Sequence, residues 1–502
     1  LGTLATPATL NIGWNESANS RRLPNAPPAI LHVTHHPILP AANQPVRVTA
    51  RVSDPDGIRR VALRHRLDPS STTQDTPMLD DGTEADEFAG DGLFTAQIPG
   101  QASGTLVAFR VLAEDGFAPV SAAATFPDTE SGQGECLVRF GETLVPGAFA
   151  NYRLWMTRAD HDRWGSREKM SNEDIPVTFV LGNHRVIHGA GAHFSGSSYT
   201  SPGYTTPTGA LCGYDVRFPG GEDLLGDNRL TLDWPIRDNT DQREQLMFWF
   251  LEQFGLPNLH RRHVHLHVNG VRRGTIYDDV QQPDRDTLEE WFPEDDQGSL
   301  WKTDCWNEFD GAGNRVDPCI LNTLQRFPAT GPLKTARYRW NWRPRAVRGS
   351  ANDFSDLFAL IEAANTNAAA YLGAIESLVD VDHWMRTFAM NDLASYWDGF
   401  GNPNAKNTFL YKPERDRWKL MCWDFDVGLG VFNDPPNAAL FDVNDPAITR
   451  MYRTPAFVRR YWAALDEAVN GFFRTGAASR IDALLDAKYA AFRANGVALA
   501  AP

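Results

Sequence analysis

This chain is poor in cysteine, has no excess of positive charge and lacks any long apolar run. Only five of its 502 residues are cysteine, and none stand in a Cys-x-x-Cys pair, which argues against a zinc ribbon. Lys and Arg number 48 against 63 Asp and Glu, for a net charge of −15. That balance disfavours nucleic acid as the main partner, because neutralising phosphates requires a basic face. No apolar stretch approaches the ~20 residues needed to cross a bilayer. There is no Gly-x-Ser-x-Gly elbow, so Ser-His-Asp hydrolysis is poorly supported. The chain opens LGTLATPATLNIGWNE with no Met and reads as a segment of a longer protein whose targeting signal lies elsewhere. What is plentiful is aromatic: 15 Trp, 28 Phe and 12 Tyr, within 42% hydrophobic and 22% charged residues. Such a composition suits two or three globular units with large cores.

Residues 1–27, rich in Pro, Asn, Ser and Ala, read as a linker or the tail of a preceding domain. Residues 28–138 read as an all-β sandwich. VRVTARVSD (Val46–Asp54) alternates apolar and polar residues, Asp56-Gly57 turns the chain, and IRRVALRHRLD, GLFTAQIP and GTLVAFRVLAED supply further strands. Short alternating strands in this number suit an immunoglobulin or fibronectin type III-like module. Its acid-rich loop MLDDGTEADEFAGDG has two readings: a Ca²⁺ loop, or solvated Asx turns. Residues 141–502 read as an α+β, two-lobed unit with a cleft between the lobes. In it DQREQLMFWFLEQFG is a helix ending at Gly255, RHVHLHVNGVRRGTIYDDV is an Asn-Gly hairpin, and the pattern from Asp353 to Ser395 is helical. Cys305 and Cys319 flank a loop and would close a disulfide in an oxidising compartment.

Chemistry concentrates in NDLASYWDGFGNPNAKNTFLYKPERDRWKLMCWDFDVGLG, Asn391 to Gly430. TFLYK (Thr408–Lys412) reads as a strand, Pro413–Arg417 as a turn, and RWKLMCW as a returning strand that ends in Asp424-Phe425-Asp426. Acids at strand ends give rigidly placed hard oxygen ligands for a divalent cation, and the following Gly428 and Gly430 let backbone approach a ligand. In a continuing strand Asp424 and Asp426 share a face. His263, His265 and His267 alternate on one strand; a transition-metal site is one reading and an exposed sheet face the other.

Three ordered motifs resemble the CotH kinase family of atypical, secreted or spore-coat kinases. They are REQLMFWFLEQFG leading into the Asn-Gly hairpin, Gly298-Ser299-Leu300-Trp301-Lys302, and Trp397-Asp398 followed by Asn407-Thr408-Phe409-Leu410-Tyr411 and Trp423-Asp424-Phe425-Asp426. The resemblance implies ATP with Mg²⁺ or Mn²⁺, and transfer to Ser or Thr of a surface or coat protein. It implies Asp398 as catalytic base, and Asp424, Asp426 and Asn407 as metal ligands. Lys302 or Arg217 would balance nucleotide phosphates. Asp278 stands where the family more often has Glu, and would pair with Lys302. Ser197, in Phe194-Ser195-Gly196-Ser197-Ser198, holds the place of the family's glycine-rich turn, where an Arg is more usual, and Arg243 matches a family Arg on the helix. The rival readings are a non-catalytic pseudokinase or matrix-binding module and a metal-dependent phosphoester hydrolase. A secreted or cell-surface location follows from the resemblance, as does the Ig-like module that often precedes such domains.

Overall fold

The structure is a computed structural model. It describes residues 25–83, 86–128, 134–196, 203–234, 238–306, 310–311, 320–347, 349–402, 405–430, 437, 440, 445–474 and 479–498. The chain divides into two compact units. One comprises residues 1–144, 153–166 and 174–191; the other comprises 145–152, 167–173 and 192–502. Among the described residues no helix is long and apolar enough to cross a membrane.

In the first unit, period-two alternation builds an all-β region. Val46, Val48, Ala50 and Val52 of the strand Val46–Ser53 point into the core, and the residues between them face outward. This strand lies in the middle of a three-stranded antiparallel sheet, between Ala29–His36 and Leu93–Ile98. A second antiparallel sheet pairs Ile58–Leu67 with Leu106–Asp115. Val48, Leu63, Phe109, Val111 and Val138 from both sheets share one apolar core. Burial of each such side chain contributes about 1.5–3 kcal/mol.

The acid-rich loop of this unit is occupied by its own backbone. Asp80 Oδ1 accepts N–H groups of Gly90 and Asp91 at 2.7 and 3.2 Å, and Oδ2 accepts Gly92 N–H at 2.9 Å. Asp86 accepts Gly82 N–H at 2.7 Å, and Asp81 accepts the N–H and hydroxyl of Thr83. Among the described residues no three acids of this loop converge on a common point. The Asx-turn reading therefore accounts for these carboxylates.

Seven strands that follow close into a barrel. Their order is Ile175–Leu181, Arg185–Ser195, Gly213–Arg217, Arg229–Asp233, Val271–Gln281, Arg261–Val268 and Ala150–Trp155. The Asn-Gly hairpin supplies two of these strands, with Asn269 and Gly270 in left-handed conformation at its tip (φ 46° and 79°). The expected exposed face for its histidines is overturned. A bulge between Val264 and Leu266 breaks the alternation. His263 and His265 lie beneath Phe149, and Phe492 packs against the His263 ring at 4.6 Å.

A four-stranded antiparallel sheet in the second unit runs Trp342–Ala346, Ser299–Thr303, Thr408–Lys412, Lys419–Cys422. The helices Arg243–Gln253, Ser355–Asn365, Ala368–Leu378, Val381–Leu393 and Pro455–Asn470 pack around a core that includes Trp342, Trp384, Phe388 and Trp418. The stretch read as helical from Asp353 to Ser395 is interrupted between the helices Ala368–Leu378 and Val381–Leu393. Val379 bridges to Trp418, and Asp380 caps the second helix by accepting His383 N–H at 3.2 Å. Pairing with the incoming strand takes precedence over helix propensity at this point.

Candidate active-site cleft

The second unit holds a cleft of about 750 Å³. One wall comes from neighbouring barrel strands. Asp215 and Arg217 alternate on Gly213–Arg217, and Arg229, Thr231 and Asp233 alternate on Arg229–Asp233. The other wall comes from the four-stranded sheet, where Lys302 lies opposite Phe409 on one side and Arg343 on the other. The segments flanking the hairpin strands Thr408–Lys412 and Lys419–Cys422 complete it with Asp398, Lys406, Asn407, Asp424 and Asp426.

Six of the predicted site residues therefore line one cleft: Asp398, Asn407, Asp424, Asp426, Lys302 and Arg217. The Asn407 amide ties the acids together, donating to Asp398 Oδ2 at 2.9 Å and to Asp424 Oδ2 at 3.1 Å. The backbone here is unusual. Asn407 and Asp424 have φ of 59° and 56°, a left-handed conformation that Asn and Asp tolerate better than most residues. The returning strand ends at Cys422. Asp424 and Asp426 are thus not successive residues of one strand face, although both reach the cleft. Asp398 lies beyond the helix Val381–Leu393, whose C-cap is Ala394, so it does not terminate that helix.

The basic side of the cleft is only partly neutralised. Arg229 grips Asp215 with two bonds of 2.7 Å, and Arg343 lies 3.0 Å from Asp304. Lys302 and Arg345 have no salt-bridge partner among the described residues. Desolvation lowers the Lys302 ammonium to about 8, with the Asp304 and Asp424 charges opposing that shift. Its Nζ lies 5.9 Å from the centre of the Phe409 ring. Cys305, also in the lining, is disulfide-bonded, whereas Cys136, Cys212 and Cys422 are free and buried.

Asp278 and Arg243 are placed otherwise. Asp278 is buried outside the cleft lining, 3.6 Å from Arg261, 3.5 Å from His263 and 3.2 Å from the Gln245 amide. It makes no ion pair with Lys302; its Cα partners in the barrel are His263 and Asp233. Ser197 lies outside the described residues, as does Cys319. Arg243 approaches Asp238 at 3.8 Å and is not part of the lining.

Sequence reading missed Asp233, Glu244 and Arg261. Carboxylate oxygens of Asp233, Glu244 and Asp424 lie within 4.8 Å of one another. Arg261 is buried among them, pairing with Glu244 and lying 3.5 Å from Asp233. Desolvation, then the Asp424 charge, raises Asp233 to about 6. Burial pushes Glu244 well above the ordinary carboxyl range against the pull of Arg261. The only sequence signal for Asp233 was an acid at the end of an alternating strand. Glu244 had none beyond its place next to Arg243.

The arrangement joins clustered oxygen donors to unneutralised cations in one concave site, as recognition of a metal-bound polyphosphate requires. No curated protein matches the chain. The model of the CotH kinase protein family matches residues 213–491, more than half the length, and contains both walls of the cleft apart from a few residues before Gly213. On the strength of that match, the chain belongs to the CotH kinase family.

Proposed function

We propose that the cleft binds ATP with Mg²⁺ or Mn²⁺ and transfers the γ-phosphoryl group to a Ser or Thr hydroxyl of a surface or coat protein outside the cell. The family in general terms implies a nucleotide and a divalent metal. The donor chemistry of this chain fits such a cation. Asp424, Asp426 and Asn407 offer hard oxygens, and Arg261 alone does not balance the acids gathered around it. When bound, the cation would neutralise charge on the phosphate oxygens.

The remaining work falls to the side chains. Lys302 and Arg345 hold the phosphate chain, with Arg217 at the exposed end of its strand beside them. An Arg in this role can grip phosphate through two parallel N–H bonds. Asp398 orients the acceptor hydroxyl and takes its proton, and its Asn407 contact fixes its carboxylate relative to Asp424. Phosphoryl transfer needs mainly positioning and charge neutralisation, and those are what a rigid, charged cleft provides.

The observation that carries this reading is that Asp398, Asp424 and Lys302, more than 120 residues apart in sequence at the extremes, line one cleft. The test is a labelled-ATP transfer assay with Mg²⁺ or Mn²⁺ on the wild-type chain and Asp398→Ala. Metal-dependent label on protein Ser or Thr, lost in the variant, is the expected result. Release of phosphate with no labelled acceptor would instead make the site a hydrolase. Nucleotide binding with neither product would make it a pseudokinase.

A further inference from the structure

Asp424 enters the cleft on a left-handed backbone, with φ of 56°. For a residue with a Cβ this conformation is unfavourable, and it persists only where the surroundings hold it. Those surroundings grip the peptide groups on both flanks. The Tyr396 hydroxyl lies 2.6 Å from the Trp423 carbonyl oxygen and 2.8 Å from that of Asp424. On the opposite flank Glu244 accepts the Phe425 N–H at 2.7 Å. The Phe425 ring is wedged between Tyr396 and Phe248, with ring centres 4.6 and 5.1 Å away.

Glu244 is held in turn. Its second oxygen pairs with Arg261, whose guanidinium lies 5.1 Å from the centre of the Phe248 ring and 3.6 Å from Asp278. Both Glu244 oxygens are therefore engaged by the protein, one by a backbone N–H and one by Arg261. This makes Glu244 a holder of the acid segment although its carboxylate lies close to that of Asp424. It also gives Asp278 a role at one remove, through Arg261.

We propose that Tyr396 and Glu244 are positioning residues forming a two-sided clamp on the Trp423–Phe425 segment. The clamp keeps Asp424 left-handed, so that its carboxylate meets the Asn407 amide and faces the cleft. Neither residue touches the reacting atoms; both act through Asp424. The proposal rests on the reading of the cleft as a cation and nucleotide site.

The test uses the full chain and Mn²⁺ as probe, titrated alone and with ATP, alongside steady-state transfer. Tyr396→Phe keeps the ring against Phe425 and removes only the hydroxyl. It is expected to weaken Mn²⁺ binding roughly 10-fold or more, the scale for residues that orient metal ligands. KM for Mn²⁺–ATP should rise and KM for the acceptor should stay unchanged. Glu244→Gln keeps an acceptor for the Phe425 N–H and should stay within about 3-fold of wild type, whereas Glu244→Ala should lose roughly 10-fold. Ile375→Val, in the helical core, should lower the melting temperature without moving Mn²⁺ affinity. That control separates positioning from general loosening. In the wild-type chain the Phe425 amide should exchange as slowly as that of Leu410, a readout that needs no variant to fold. Wild-type Mn²⁺ affinity no better than that of Asp424→Asn would overturn the reading of the cleft itself. Normal wild-type binding with an unaffected Tyr396→Phe, or fast exchange at Phe425, would overturn the clamp alone.

Discussion

Asp80 and Asp424 are both aspartates followed closely by glycines, yet their surroundings differ in kind. Asp80 spends its carboxylate on three backbone N–H groups of its own loop. Among the described residues Asp424 accepts a side-chain hydrogen bond from the Asn407 amide alone, and it shares its neighbourhood with Asp233 and Glu244. Its flanking backbone carbonyls are held by the Tyr396 hydroxyl. A carboxylate saturated with N–H donors is satisfied as an anion and organises a turn. Carboxylates crowded together without such donors favour a nearby cation. Acid content alone thus does not separate the two loops; the hydrogen-bond donors around each acid do.

The sharpest way to break this contrast is at the proposed cation ligands. Asp424→Asn is expected to abolish metal-dependent nucleotide binding, a loss greater than the roughly 10–100-fold typical of outer-shell substitutions, with the melting temperature little changed. Calorimetry finding wild-type Mg²⁺–ATP affinity in the variant would erase the distinction between the two loops. Next in size, Asp398→Asn should keep nucleotide affinity and lower turnover by about 10²–10⁴. A normal rate with a lowered melting temperature would instead assign Asp398 a purely structural part.

A smaller effect follows from the cleft's cations. Desolvation places Lys302 at about 8, so its positive charge is complete well below that pH and is lost as pH rises through it. Nucleotide affinity should therefore fall between roughly pH 7 and 9, and Lys302→Arg should flatten the fall because Arg stays charged throughout. A wild-type profile flat across that range would show that Lys302 does not meet the phosphates. Smallest for function is the control loop. Asp80→Ala should leave transfer unchanged and lower the stability of the first unit by about 1–3 kcal/mol, since backbone donors lose their acceptor. A thermal shift with added Ca²⁺ in the wild-type chain, absent in Asp80→Ala, would show that this loop too is a cation site.

Local pattern made much of the molecule legible. The strand Thr408–Lys412 has the limits expected from TFLYK, and Gly255 follows its helix with φ of 66° as a C-cap glycine should. These elements are decided by residues adjacent in sequence. The readings that failed depend on partners far away. His263 and His265 were expected on an open face, but Phe149 and Phe492 cover them. Asp278 was expected to answer Lys302, but barrel pairing sets it beside Arg261 and His263. Glu244 carries no sequence signal for its part, because that part consists of one N–H from Phe425 and one guanidinium.

The sequence by itself determined the alternating strands of the first unit, the helix-hairpin-hairpin order of the second, and the identities of the acids and of Lys302. Those follow from periodicities of two and 3.6 residues and from turn chemistry, which act over a few residues. Only the tertiary structure decided which acids converge, which are saturated, and which backbone is held left-handed. Each of those depends on groups brought together through barrel closure and sheet pairing from distant parts of the chain, and on the desolvation that follows from their burial.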